Sequence, residues 1–213
     1  MIEWFSTLDS TMLEARRDPQ LGRVIVADEQ TAGMGRMGRV WHSPPGEGLY
    51  VSIVMHPSPL LTLALGLAVR SVIGEPADLR WPNDVLLGER KVAGILAQTE
   101  GEVVIAGIGI NVAQSSFPDG LDTPATSLSL EGIPTTREEV LTALVPAVER
   151  FCVLPSEEIR RQFEQASSYA IGRRVRAGDR EGVTCGLDSQ GFLRLREDNG
   201  SETMILAGGV RPI

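Results

Sequence analysis

The sequence predicts an α+β fold: a mixed, largely antiparallel sheet packed with helices, followed by a small C-terminal barrel. Three observations carry this. Residues 79–110 read as short β-segments separated by turns, with no helix between them. Helical periodicity at 60–73, 137–151 and 156–166 flanks that run, so strands and helices segregate instead of alternating as βαβ units. Beyond residue 171, short β-rich segments are divided by Gly, Asp and Asn, as in a closed barrel of SH3 type. The expected division is therefore 1–169 and 170–213.

The elements follow in order. Asp9-Ser10-Thr11 caps a short helix through Leu13, Ala15 and Arg16, which Asp18-Pro19 closes. Residues 23–27 are β-rich and open into a long glycine-containing loop, 30–48. Residues 49–55 form a second strand, and 60–73 carry Leu, Ala and Val at helical spacing. Strands follow around 79–81, 85–87, 91–98 and 103–110, with turns at Gly88-Glu89 and Glu100-Gly101. The helix at 137 is capped by Thr135 or Thr136. In the C-terminal segment, strands are expected at 173–176, 182–186, 191–195 and 203–206.

Composition excludes several classes. A net charge of −8 and a pI near 4.9 leave no basic stripe for nucleic acid. Cys152 and Cys185 lack metal-ligand spacing and make no disulfide framework. The N-terminus has no basic region followed by an apolar stretch, and the longest apolar run is interrupted by Arg70. These features predict a cytoplasmic protein. There are nineteen arginines and one lysine, Lys91, which follows a Trp81-Pro82-Asn83-Asp84 turn. A lysine is a compact point charge that approaches a phosphate or carboxylate from one direction, which points to a chemical role.

Gly33-Met34-Gly35-Arg36-Met37-Gly38 matches a dinucleotide fingerprint, but Pro44-Pro45-Gly46 follows where a helix should open, so a Rossmann turn is rejected. What remains is a loop whose glycines admit a phosphate, whose Arg36 and Arg39 neutralise it, and whose Trp41 can stack on a base. By itself it reads as an ordinary solvated loop, the commoner fate of Gly/Arg segments; only together with the Lys91 segment does the phosphate reading prevail. Trp81-Pro82-Asn83-Asp84 with Lys91 places an amide, a carboxylate and an ammonium near one end of a hairpin; a polar turn with an exposed lysine is the rival. Gly107-Ile108-Gly109-Ile110-Asn111 ends an apolar strand with two glycines, marking either a close approach by a ligand or a bulge.

Taken together, the stretches Ser10-Thr11, Gly33 to Trp41, Arg80 to Asp84, Arg90-Lys91-Val92-Ala93-Gly94 and Gly107 to Asn111 occur in the order found in biotin protein ligases, which the chain resembles along essentially its whole length. Two departures stand out: the family's Ser-Thr-Asn is Ser10-Thr11-Met12, and its Gly-Arg-Gly-Arg is Gly33-Met34-Gly35-Arg36. Regulatory members carry an N-terminal helix-turn-helix domain; with Ser10-Thr11 so near the start, a short form without DNA binding is expected.

The resemblance implies activation of biotin by ATP to biotinyl-5′-AMP, then transfer to a lysine of a biotin carboxyl carrier domain. It implies that Lys91, Arg36 and Asp84 are catalytic, Asp84 as a base for the acceptor lysine. Ser10, Thr11, Met12, Gln30, Met34, Gly35, Arg36, Lys91, Gly107 and Gly109 would bind biotin. Arg36, Arg39, Trp41, Asn83, Lys91 and Asn111 would bind the nucleotide or adenylate, with Trp41 stacked on adenine. Mg²⁺ is expected on the phosphates; no protein ligand for it is assigned. An exposed sheet edge is open to pairing with a second copy of the chain or with the carrier. A lipoate–protein ligase of the same fold and a non-catalytic biotin- or nucleotide-binding module are the alternatives.

Overall fold

The computed structural model describes residues 2–213. A seven-stranded sheet runs, in spatial order, β1 (Ile2–Leu8), β2 (Val24–Gln30), β3 (Gly48–Met55), β7 (Val103–Asn111), β6 (Arg90–Glu100), β5 (Asp84–Leu87) and β4 (Ala77–Arg80). Only β1 and β2 are parallel, joined through α1 (Thr11–Arg17); every other pairing is antiparallel. The mixed sheet is as expected. The sequence reading missed β1, whose side chains are half-buried or exposed, so its edge pattern lacks an apolar stripe.

Strand parity divides the core in two. On β7, Val104, Ala106, Ile108 and Ile110 face α2 (Leu61–Ile73) and α3 (Arg137–Cys152) in the large apolar cluster. Val51 and Ile53 of β3 and Ala93 and Ile95 of β6 join them. Ile105 and Val54 instead face α1, with Met12, Ala15 and Ile25, in a smaller cluster. Thr136 and Glu139 form a reciprocal capping box at the start of α3, so of the two candidate caps it is Thr136 that serves. Behind α2 lies α4 (Ser156–Gln165), which buries Ile159 and Phe163.

The C-terminal strands make a second, antiparallel sheet in the order β11 (Glu202–Ile205), β10 (Leu193–Arg196), β9 (Arg180–Leu187), β8 (Ile171–Ala177) and β12 (Arg211–Pro212). It is an SH3-like arrangement that stays open, correcting the closed barrel expected from the sequence. The end strands β11 and β12 pair only inward, and β12 has two residues, one of them proline, too little ladder to close a ring. Buried Trp81, just after β4, ties the two sheets by donating its indole N–H to the Gly191 carbonyl at 2.9 Å.

Candidate active site

The α1 face of the main sheet has a floor of glycine. Register places Gly109 between Tyr50 and Gly94, and Gly107 between Ser52 and Leu96, all on that face. A β-carbon on Gly109 would lie 2.4 Å from the Trp41 ring, and one on Gly94 would lie 2.9 Å from it. On Gly107 it would lie 2.7 Å from the Met12 sulfur. The glycines thus let Trp41 and Met12 rest directly on backbone, and the β3–β7 ladder beside them runs without the alternative bulge. Between floor and cover remains a cavity of about 50 Å³.

A bulge brings Lys91 to this floor. In the β5–β6 ladder Leu86 faces Lys91 and Val85 faces Ala93, leaving Val92 extra. Plain alternation would give Lys91 the parity of Ala93 and Ile95, which face the helices. The inserted residue reverses that parity, so Lys91 joins Gly94: a β-carbon there would sit 3.1 Å from Nζ. The Lys91 backbone is held by hydrogen bonds from its N–H to Pro124 O and from Thr126 N–H to its carbonyl. Asn111, at the end of β7, donates its amide to the same carbonyl at 3.4 Å and to Thr126 O at 2.9 Å.

The lysine is paired as well as placed. Its Nζ lies 2.6 Å from Asp84 Oδ1, and the other carboxylate oxygen receives a 2.6 Å hydrogen bond from buried Arg80. Burial alone would raise the Asp84 pKa, but the Lys91 and Arg80 cations outweigh it and hold the carboxyl below the ordinary aspartate range. Lys91 also stands 5.3 Å from the centroid of the Trp41 ring. The Trp41 Nε1 hydrogen is buried without a partner, an orphaned donor at the cavity.

The glycine loop folds as a short hairpin: Trp41 N–H bonds Gly33 O, and Gly35 N–H bonds Arg39 O. Its tip is a single turn at residues 36–38 with Met37 in the left-handed region at φ 57°, and no helix follows, in keeping with rejection of the dinucleotide turn. Arg36 points back over the cavity, donating to Asn83 Oδ1 and to Gly208 O, each at 2.9 Å. Its burial pulls the guanidinium pKa below the usual arginine value, against the favourable charge of Asp84 and with help from Arg39. Arg39 faces outward to Asp122 at 3.2 Å.

A polar wall closes the far end. Gln30 Oε1 accepts from Thr11 N–H at 2.9 Å and from its hydroxyl at 3.2 Å, and Gln30 Nε2 donates to Ser43 at 2.9 Å. Ser52 donates to the Thr11 hydroxyl at 2.8 Å, and Ser10 caps α1 by accepting from Met12 N–H. Met12 and Met34 stand together in the apolar cluster beside this wall.

Of the residues singled out from the sequence, Ser10, Thr11, Met12, Gln30, Met34, Gly35, Arg36, Trp41, Asn83, Lys91, Gly107 and Gly109 line the one cavity. Asp84 and Asn111 stand behind Lys91, and Arg39 lies outside. The sequence reading gave no role to Arg80, Gly94 or Tyr50. Gly94 was within reach, because it closes the Lys-Val-Ala-Gly stretch; Arg80 carried no signal beyond adjacency to Trp81. Among the described residues no group of three or more His, Cys, Asp or Glu could hold a metal ion, and no helix is long and apolar enough to cross a membrane.

This geometry can be set beside known proteins. Residues 4–115 match the model of the biotin/lipoate A/B protein ligase family. The chain belongs to that family. It is 38% identical to the bifunctional ligase/repressor BirA of Bacillus spizizenii over 207 residues, covering 84% of this chain and 63% of the relative, so it spans less than two thirds of that protein. It is 33% identical to the biotin–[acetyl-CoA-carboxylase] ligase of Mycobacterium tuberculosis, covering 88% of this chain and 77% of the relative. Among solved structures, the biotin protein ligase of Aquifex aeolicus in complex with biotin and ATP superposes with a TM-score of 0.83 at 31% identity, over 99% of this chain and 97% of that one.

Proposed function

We propose that this chain is a biotin protein ligase that makes biotinyl-5′-AMP from biotin and ATP and passes the biotinyl group to a lysine of a carboxyl carrier domain. The observation that carries the reading is Lys91, turned by a bulge onto a glycine floor, with the Arg36 guanidinium and the unpartnered Trp41 N–H lining the same small cavity. Three donors of that kind suit an anion, while the Thr11–Gln30 wall suits the polar edge of a ureido ring. The Aquifex aeolicus protein that superposes on this chain was captured with biotin and ATP.

In the first step a biotin carboxylate oxygen attacks the α-phosphorus and pyrophosphate leaves. Both reactants are anions, so the site must cancel charge and hold an in-line approach. Lys91 would bridge carboxylate and α-phosphate; Arg36, oriented by Asn83, would neutralise the phosphates. Arg39 is reached only if the loop turns inward or the polyphosphate extends outward. In the second step the acceptor amine attacks the mixed-anhydride carbonyl, the C–N bond forms and AMP leaves. Asp84 sits between two cations that hold it ionised and weaken it as a base, so its first role in this reading is to orient Lys91, with Asn111 bracing the same residue from behind.

Among the described residues, no cluster of acidic side chains makes a magnesium cage. Mg²⁺ would arrive on the nucleotide and be held chiefly by phosphate oxygens, the usual habit of this ion. Residues 1–169 would form the catalytic unit and 170–213 its companion, in contact at Arg36 and Gly208. Cytoplasmic residence follows from the same reading, since the reaction draws on ATP and a carboxylase. Incubation with biotin, ATP and a biotin carrier domain tests it: intact mass should show one biotinyl group on the carrier and release of pyrophosphate. Turnover with lipoate instead would move the assignment to the other branch of the family, and binding without pyrophosphate would reduce it to a binding module.

A further inference from the structure

We propose that this protein is chemically resistant to its own acyl-adenylate: its surface gives the activated biotin no side-chain amine to attack, and its one lysine is withheld by the site. The inference rests on the reading above that the chain makes biotinyl-5′-AMP. Such an intermediate acylates any unprotonated primary amine. The nitrogen lone pair attacks the carbonyl, the C–N bond forms, the acyl–phosphate bond breaks, AMP leaves with its electron pair, and the amine proton goes to solvent. A lysine with pKa near ~10.4 presents a small but real neutral fraction at neutral pH; a guanidinium with pKa above ~12 stays protonated and is a poor nucleophile.

The distribution of cations follows that chemistry. All nineteen arginines could in principle be lysines wherever a single ion-pair contact is all that is asked of them. Some positions do need the guanidinium fork: Arg174 grips both oxygens of Asp198, and Arg23 both oxygens of Glu3. Others do not. Arg90 meets Glu131 through one nitrogen, and Arg180 meets Glu197 through one, each side chain about half exposed, at 52% and 48%. Bidentate geometry therefore does not explain the exclusion of lysine from the surface.

Lys91 is the exception that the structure disarms. Its ammonium is held at 2.6 Å by Asp84, a carboxylate kept ionised by its neighbours, and it sits over the Trp41 ring. To attack, it must lose a proton and leave that carboxylate. Asp84 thus has a second consequence besides orientation: it keeps the nearest amine to the activated carbonyl from becoming the acceptor.

The test supplies synthetic biotinyl-5′-AMP directly, so the result is independent of whether the chain makes the adenylate, which pyrophosphate release from biotin and ATP measures separately. Wild type, Arg90→Lys, Arg161→Lys and the double variant are each mixed with a lysine-rich bystander protein, and biotin is located by peptide mass spectrometry. Arg90 neighbours Lys91 on β6, and Arg161 lies on α4, which contributes no residue to the cavity lining, so the pair samples two separate surfaces. The bystander should label while wild type gains biotin only at its terminal amine. Each new lysine should carry biotin on its own peptide at least about tenfold above the matching wild-type peptide, whose guanidinium stays protonated and unlabelled. Wild type unfolded in urea should label at Lys91, showing that its silence is conferred by the fold. Abundant biotin on Lys91 of the folded protein, or new exposed lysines that stay unlabelled beside a labelled bystander, would overturn the proposal.

Discussion

The two faces of the main sheet use the same strands for opposite ends. On the helix-covered face, Ile108 and Ile110 of β7 pack with Ala93 and Ile95 of β6 against α2 and α3. One residue along, on the α1 face, Gly109 meets Gly94 and Gly107 faces Leu96, so three positions give up side chains altogether. A strand interior loses packing at glycine, so three of them on one face of two paired strands weaken the sheet where the other face strengthens it. Apolar packing is supplied on one side of the sheet and a cavity is left on the other, with only a one-residue change of parity between them.

The largest test of that contrast is Gly109→Val. A β-carbon 2.4 Å from the Trp41 ring must displace the indole or fill the cavity. Pyrophosphate release should fall by about 10²–10³-fold, while the helix-packed face keeps the thermal midpoint within a few degrees. Activity near wild type would show that the floor is not where the substrate lies.

Asp84→Asn comes next. It leaves Arg80, which is buried, and Lys91 without their shared counter-charge, at a cost of about 3 kcal/mol in urea unfolding at pH 7. Because the folded pKa is lowered, the stabilisation is complete above the ordinary aspartate value of ~3.9 and is lost as pH falls through the lower folded value. The gap between variant and wild type should hold from neutrality to about pH 4 and narrow only below it. A gap that closes between pH 7 and 5 would mean the carboxyl is not held ionised.

The smallest effect belongs to the other face. Ile108→Val removes one methylene beside Gly109 and should cost about 1 kcal/mol of stability with kcat/KM unchanged. A kinetic effect rivalling that of Gly109→Val would dissolve the distinction between the faces.

The sequence carried much of this. Helix 61–73, strands 48–55 and 103–111 and the cap at Ser10 announced themselves through periodicity and side-chain chemistry. The edge strand β1 did not, because a half-exposed edge needs no apolar stripe. Nor did the bulge at Val92, since period-two reading sends Lys91 to the wrong face and only the partner strand shows the extra residue. Asn111 was legible as a polar residue at a strand end, yet its amide is committed to the backbone of Lys91 and Thr126, a partnership that spans residues far apart in sequence. Arg80 was hidden in part for the same reason: Thr123 is distant in sequence, and Asp84, four residues on, faces it only because β4 and β5 pair as a hairpin.

The charge cancellation assigned to Lys91 is tested most directly by pyrophosphate release from biotin and ATP, with Lys91→Arg measured beside wild type. The formal charge survives, but a planar guanidinium cannot reproduce the compact approach of the ammonium between Asp84 and the floor. The expected result is a loss of about 10²–10³-fold in kcat, the scale on which a single charge-stabilising donor is felt, with the folded structure retained. Near-normal release from the arginine variant would contradict it and move the centre of the chemistry away from Lys91.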